Sequence, residues 1–269
     1  MTCRPFLART LASALLAGIL AAAPAAGECA PAGPDDERTA PAVQSPSGGS
    51  DFLLGRPRGW FGARGGWLVA NAGSDLFDFV EDQLTIGARD FDAPFLALDV
   101  GFALTPRVDL VVGFEFSGAS VNSEYRDYVD DDFLPITQRT TLQEFNLSVS
   151  GRLALAPRFR QVSSLASVPN RVVPYVGAGG GALHYKFKQT GDFVDYVDLS
   201  VFSSTLQSAR WAPSVHVLGG IDLQLYRSWF ATFEARYLWA AGDLGQDFVG
   251  FDPVDLAGFR ASAGVSFGF

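Results

Sequence analysis

Ser214 and His216, which stand two positions apart, are the residues whose types come closest to a catalytic pair. A nucleophilic serine needs a base within hydrogen-bond reach, and that base needs an acid to orient it. Glu234 on the next predicted strand is the candidate acid. In the predicted pairing it lies about five residues, or roughly 17 Å, from His216. This spacing argues against a catalytic triad, and we expect no enzyme active site.

A metal site is the second chemistry that the residue types suggest. The chain has two histidines, His184 and His216, and both are expected to face inward on neighbouring strands. Zinc sites use three or four protein ligands, and the sequence offers no third ligand at a matching position. The two cysteines, Cys3 and Cys29, lie near the N-terminus, so no disulfide framework is expected. We therefore predict neither a metal nor a cofactor.

Charged residues recur at alternate positions within apolar segments, and their phase places five basic and five acidic side chains in a common interior. The set is Arg64, Arg152, Lys186, Arg236 and Arg260 with Asp99, Glu115, Glu144, Asp222 and Glu234. A charge in a low-dielectric interior is costly unless it is paired. We therefore interpret the set as a neutral plug of ion pairs. A narrow path for ions through the same residues is the alternative.

The segments that carry these charges alternate between apolar and polar residues with the period of two that is typical of a β-strand. Eight of them follow one another, at about 58–70, 94–104, 108–120, 139–155, 171–187, 210–225, 229–241 and 257–269. An even number of strands, apolar outside and polar inside, is typical of a bacterial transmembrane barrel. The predicted fold class is therefore all-β, an eight-stranded antiparallel up-and-down transmembrane β-barrel.

The pattern is clearest in the last segment and weakest in the fifth. In the last segment, Val265, Phe267 and Phe269 are predicted to face outward. In the fifth, a run of glycines blurs the alternation. Its two ends favour outward positions for Val173, Tyr175, Leu183 and Tyr185, and inward positions for His184 and Lys186.

The N-terminus is typical of an export signal. Basic residues precede an apolar run from Leu11 to Ala23, and small residues follow it. The predicted organisation is a signal peptide over 1–27, a disordered periplasmic linker over 28–57 and the barrel over 58–269. A lipoprotein acylated at Cys29 is an alternative, but Glu28 does not match the residue expected before such a cysteine.

The connections between the predicted strands alternate in length and so predict the orientation of the barrel in the membrane. Those after strands two and six are tight, whereas those after strands one, three, five and seven run to roughly 12–23 residues. Short turns face the periplasm and long loops face outward. The connection at 156–170 breaks this rule as a long periplasmic turn. The long loops are acidic, and the net charge of −9 argues against nucleic-acid binding.

Taken together, these features resemble the bacterial outer-membrane β-barrel family of OmpA-like, OmpX-like and Opa-like small barrels. The resemblance covers 58–269 and rests on the alternating strands, the glycine-rich stretch 173–181, the FEARY segment 233–237 and the terminal AGVSFGF. It implies a bacterial outer-membrane location among lipid and lipopolysaccharide. It also implies folding by the barrel-assembly machinery, which recognises a terminal strand ending in an aromatic residue. Val265, Phe267 and Phe269 match that signal.

The resemblance implies no single activity, because the family includes adhesins, host-interaction proteins and structural barrels, and some small barrels are lipid A deacylases. We expect a structural or adhesin-like role in which four acidic extracellular loops contact a host or surface ligand. A narrow ion-conducting barrel and a lipid A-modifying outer-membrane enzyme are the alternatives from other functional classes. A soluble periplasmic barrel is a third.

Overall fold

The computed structural model describes residues 53–54, 57–130, 132–163, 166–196 and 198–269. Its framework is a ring of eight strands. They are β1 (Gly59–Ala70), β2 (Ala93–Ala103), β3 (Val108–Val129), β4 (Pro135–Ala154), β5 (Val172–Val194), β6 (Val201–Tyr226), β7 (Trp229–Gly242) and β8 (Gly258–Gly268). Each pairs antiparallel with its neighbours in sequence, and β8 pairs with β1. The predicted eight-stranded up-and-down barrel is therefore confirmed. The predicted signal peptide, both cysteines and nearly all of the predicted linker lie outside the described residues.

The barrel closes along the seam between β8 and β1, in an unbroken register from Gly258 opposite Ala70 to Gly268 opposite Trp60. Gly264 lies opposite Arg64 on this seam. A Cβ atom on Gly264 would stand 2.1 Å from the carbonyl oxygen of Ala63. Glycine is therefore required where the seam makes room for a large interior side chain.

The pleat of the strands separates two chemically opposite surfaces. On β4, the exposed residues are Phe145, Leu147, Val149 and Leu153, and the buried residues between them are Glu144, Asn146, Ser148 and Arg152. Most of the other strands repeat this pattern, with exposed apolar residues such as Leu98, Phe114, Val217 and Phe233. Apolar side chains therefore face outward and polar side chains fill the lumen.

The predicted orientation of β5 is wrong, and the correction reverses its two faces. Its buried residues include Val173, Tyr175, Leu183 and Tyr185, each at most 1% exposed. His184 and Lys186 take the outward phase between them. Glycines occupy the inward positions in the middle of the strand, and a Cβ on Gly181 would lie 2.0 Å from the carbonyl oxygen of Leu147. Because small residues line the inward face here, hydrophobicity does not distinguish the inward face of β5 from its outward face. The aromatic rings near the ends of the strand fill the interior.

Two of the predicted long loops are strands. β3 and β4 pair well beyond the predicted limits, and only 130–134 connect them. β5 and β6 likewise pair as far as Val194 and Val201, and 195–200 form the turn. Both faces of these extensions carry many polar residues, which hides the alternation in the sequence. The four extended strands form a sheet that continues beyond the barrel, so the predicted long loops after strands three and five are short turns.

The end of the barrel that carries this extended sheet is capped by apolar residues, and we call it the loop end. The connection 71–92 contains a helix, α1 (Asp75–Gln83), whose Leu76, Phe77 and Val80 are buried. They pack in one cluster with Phe187 from β5, Leu238 from β7 and Leu256 from the connection before β8. No helix in the described part of the chain is long and apolar enough to cross a membrane.

The opposite end, which we call the turn end, is covered by the connection 155–171. Two short strands within it, Phe159–Ser163 and Ala166–Pro169, pair with each other, and Leu53–Leu54 adds a third strand. Phe159 packs edge-on against Phe230 of β7 with ring centroids 6.0 Å apart. The long turn that departs from the predicted alternation is therefore a small folded sheet at the mouth of the barrel.

Candidate functional site

The predicted interior charges meet in a continuous network at the middle of the lumen. Arg64 of β1 bonds the carboxylates of Asp99 at 2.7 Å and Glu234 at 2.6 Å. Arg236 bonds Glu234 at 3.0 Å and lies 3.7 Å from Glu115. These side chains come from four strands. Each lies at an inward position of the strand pleat and therefore points into the lumen.

Arg260 of β8 extends the network to the far wall of the barrel. Its guanidinium donates to Glu115 at 2.6 Å and to Glu144 at 2.8 Å. Arg260 is among the largest side chains that are fully buried. Ser117 also donates to Glu144, at 3.4 Å. One guanidinium therefore compensates two buried carboxylates that would otherwise repel each other.

A second cluster lies toward the turn end. Arg152 of β4 and Arg158 of the connection 155–171 both donate to Asp222. The Arg152 guanidinium stacks on the ring of Tyr175, 3.2 Å from its centroid. The Tyr175 hydroxyl donates to Glu234 at 3.1 Å, which joins this cluster to the central network. The lumen thus contains one connected polar system.

The structure places nine of the ten predicted interior charges in this system, and Lys186 is the exception because it takes the outward phase of β5. Arg158 takes its place, and the sequence pattern could not identify it because it lies outside any alternating strand. The charges are Arg64, Arg152, Arg158, Arg236 and Arg260 against Asp99, Glu115, Glu144, Asp222 and Glu234. Five cations thus face five anions.

Little space remains between these side chains. A cavity of about 10 Å³ is lined by Trp60, Arg64, Arg152 and Glu234, among others. That volume is close to the minimum of roughly 10–15 Å³ that a single water molecule needs. The side chains therefore fill the barrel at this level, as expected for a barrel of eight strands.

The two residues considered for catalysis bond to different partners. The Ser214 hydroxyl donates to the side-chain oxygen of Asn146 at 3.0 Å, and His216 Nε2 shares a hydrogen bond with Ser150 at 2.8 Å. Glu234 pairs across the strands with Gly220, four positions from His216. The predicted inward orientation of His184 is wrong: it faces outward and packs on Trp211, 5.1 Å between ring centroids. Among the described residues, no three His, Cys, Asp or Glu side chains are placed to hold a metal.

The residues of the predicted assembly signal lie on the outer face of the terminal strand. Val265, Phe267 and Phe269 are all exposed. Phe267 packs against Trp229 with ring centroids 5.0 Å apart. The backbone N–H of Phe269 donates to Gly59 at 2.9 Å, which ties the end of the chain to the start of β1.

A second site, which sequence reasoning missed, is an apolar pocket of about 190 Å³ at the loop end. We call it the loop-end pocket. Its walls come from α1, the extended sheet and the connection 243–257. The lining residues are Leu76, Phe79, Val80, Gln83, Leu84, Tyr125, Gln138, Gln189, Phe193, Val194, Tyr196, Phe202, Leu206, Asp247, Phe248 and Phe251. No local sequence signal marks the pocket, because its walls are separated by up to 175 positions along the chain.

The rim of the loop-end pocket is formed in part by tyrosines. Tyr196 donates to the side-chain oxygen of Gln83 on α1 at 3.0 Å, and Tyr128 packs edge-on between Tyr125 and Tyr196. Partial burial, with a contribution from Tyr125, raises the pKa of Tyr196 to about 12. The Tyr196 phenol is therefore neutral at physiological pH and keeps its hydrogen bond to α1.

Substituting one arginine of the network tests its energetic role. In Arg260→Met, Glu115 and Glu144 lose their shared cation, so the free energy of unfolding is expected to fall by about 3–5 kcal/mol. Urea unfolding in lipid vesicles, followed by tryptophan fluorescence, measures the change. Lys186→Met is the matched control on the outer face and should change stability by no more than about 0.5 kcal/mol. Equal losses in the two variants would contradict the network.

Comparisons with known proteins find similarity to solved structures alone. No family model matches the chain, and no curated protein sequence matches it at a significant level. Among solved structures, neisserial surface protein A matches with a TM-score of 0.44 and 14% identity over 82% of this chain and 98% of its own. The Pseudomonas aeruginosa outer membrane protein OprG matches with a TM-score of 0.41 and 13% identity over 80% and 98%. Ail, the attachment invasion locus protein of Yersinia pestis, solved with the heparin analogue sucrose octasulfate, matches with a TM-score of 0.38 and 11% identity over 78% and 99%. The chain is similar in fold to small outer-membrane β-barrels.

Proposed function

We propose that the protein is an integral outer-membrane barrel with a sealed lumen, whose loop end is a recognition surface outside the cell. The observation that carries the proposal is the inverted polarity of the barrel, with charged residues buried inside and large apolar residues exposed outside. A water-soluble protein buries its large apolar side chains and exposes its charges. Only an apolar solvent around the barrel stabilises the opposite arrangement.

The exposed apolar surface has the height that a membrane requires. From Phe145 to Leu155, the outward positions of β4 and the residue after it are apolar or glycine. Ten residue steps of roughly 3.4 Å, at a strand tilt of about 40°, give a band of about 26 Å. A transmembrane barrel carries an apolar band of about 25 Å. Beyond this band toward the loop end, the outward positions become polar, beginning with Gln143 and Thr141 on β4.

Two arginine substitutions on the outer face of β4 test the membrane location. Val149 lies at the middle of the band and is 49% exposed. Val149→Arg places a charge near the bilayer midplane, which is expected to cost about 2–4 kcal/mol and to reduce insertion. Gln143→Arg, beyond the band on the same face, is expected to cost at most about 1 kcal/mol.

Outer-membrane fractionation and the heat-dependent gel shift of the folded barrel measure both variants. The proposal requires a clear loss for Val149→Arg and near-normal insertion for Gln143→Arg. If Val149→Arg folded as a soluble protein with unchanged stability, the alternative of a soluble periplasmic barrel would replace the proposal.

The sealed lumen favours a role at the loop end over ion conduction. The ion pairs occupy the middle of the barrel, the apolar cluster around α1 caps one mouth, and the connection 155–171 caps the other. The extended sheet and its turns carry the acidic residues that the sequence assigned to loops, including Glu124, Asp127, Asp192 and Asp198. An acidic surface favours a neutral or basic host or surface ligand and disfavours polyanions.

The partners implied by this placement are lipid and lipopolysaccharide around the band, and the barrel-assembly machinery during folding. The exposed row Val265, Phe267 and Phe269 supports the second, since all three side chains remain accessible on the outer face of β8. Export by a cleaved signal peptide over 1–27 stays a prediction from the sequence.

Cysteine labelling tests which end faces outward. In a background that carries Cys29→Ser, Leu134→Cys places a thiol in the exposed turn between β3 and β4, and Arg107→Cys places one in the tight turn after β2. A membrane-impermeant maleimide added to intact cells should label Leu134→Cys. It should label Arg107→Cys only after the outer membrane is permeabilised. The reverse pattern would contradict the proposed orientation.

A further inference from the structure

We propose that the loop-end pocket binds a small neutral molecule that combines one apolar ring with a single hydrogen-bonding group, and that the Gln189 amide makes that hydrogen bond. The inference deepens the proposed function, since it gives the recognition surface a small-molecule site. It concerns the pocket alone and does not depend on which end of the barrel faces the cell exterior.

The size of the pocket sets the size of the ligand. Its volume is about 190 Å³. An engineered cavity of about 150 Å³ in another protein binds benzene, whereas drug-sized ligands occupy roughly 300–1,000 Å³. The pocket therefore accommodates one substituted ring and is too small for a complete lipid.

Gln189 is the residue that points to a polar group on the ligand. It lines the pocket and is 6% exposed. Within the described part of the chain, its side-chain amide has no hydrogen-bond partner. Its cross-strand neighbour Thr140 is also buried, and its hydroxyl also lacks a partner there. The Gln189 amide opens on the pocket, so a ligand bound there can supply the hydrogen bond that the described protein groups do not.

Gln138 is the second buried amide of the pocket, and unlike Gln189 it has hydrogen-bond partners within the protein. The Gln138 amide donates to the Tyr125 hydroxyl at 3.3 Å and to the carbonyl oxygen of Asp192 at 3.0 Å. It is therefore a structural residue that ties β4 to the rim. Gln189 makes no such bond, although leucine would fill the same position without leaving a polar group unpaired.

The remaining walls favour an uncharged aromatic ligand. Phe193 and Phe202 stack with ring centroids 6.0 Å apart, and Phe79 packs edge-on against Phe251 at 5.5 Å. Aromatic rings prefer such stacked and edge-on partners. Among the described lining residues, Asp247 is the one carboxylate, and it accepts the backbone N–H of Gln207 at 2.9 Å. This fixed negative charge disfavours an anionic ligand.

Binding of three matched probes tests the inference. Benzyl alcohol carries a ring and a hydroxyl, toluene carries the ring alone, and benzoate carries a negative charge. The full barrel in lipid nanodiscs is titrated with each probe, and NMR records the shift of the Gln189 side-chain amide and its contacts with ring protons. Benzyl alcohol should bind at Gln189 about tenfold more tightly than toluene, and benzoate should not bind.

Two variants and a control assign the binding to the pocket. Gln189→Leu should weaken benzyl alcohol binding about tenfold and leave toluene binding within about threefold, because only the hydrogen bond is removed. Leu206→Trp, which fills the pocket, should abolish binding of both. Gln143→Leu, an identical change on the outer face of β4, should alter neither. All three should keep the heat-dependent gel shift of the folded barrel.

Equal affinities of benzyl alcohol and toluene, or an unchanged affinity in Gln189→Leu, would overturn the role of Gln189. Contacts between Gln189 and lipid acyl chains before any probe is added would also overturn the proposal and make the pocket a lipid site. These outcomes leave the proposed function intact. The proposed function fails only if the barrel does not insert in the outer membrane or if its loop end faces the periplasm.

Discussion

Every charge that the structure describes in the interior ion-pair network has a partner, and the rest of the structure depends on that pairing. Four arginines and five carboxylates are buried where water is largely excluded, Arg158 is half-buried beside them, and a single unpaired ion there would cost several kcal/mol. The strand register follows from this condition, because a one-residue slip would turn a strand's charges toward the apolar surroundings. The turn-end connection contributes to the same pairing, because its Arg158 gives Asp222 a second cation.

The barrel therefore combines three layers along its axis. The polar network fills the middle, the small sheet around Phe159 closes the turn end, and the apolar cluster around α1 closes the loop end. The loop-end cluster continues outward into the pocket on the extended sheet, where Gln138 is satisfied and Gln189 is not. Paired charges form the support, and the loop-end pocket lies at the surface that the protein offers to its surroundings.

The sequence predicts those features that depend on a period of two. The eight strands follow from it, since most of them have one apolar and one polar face, and so do nine of the interior charges. The prediction failed for Lys186 because glycines line the inward face of β5 and leave no contrast between its faces. It failed for the extensions of β3 to β6 because polar residues occupy both of their faces. Arg158 lies in a segment without periodicity, and the walls of the loop-end pocket come from distant segments, so neither produces a local pattern.

Conductance is the measurement that tests the sealed lumen most directly. The protein, refolded and inserted into planar bilayers, is recorded under an applied voltage at high salt, with a wide porin as the positive control. The neutral network leaves a cavity of only about 10 Å³ in the middle of the barrel. A sealed lumen predicts no steady openings. Reproducible single-channel openings of constant conductance would contradict it and would identify the polar network as the wall of an ion path.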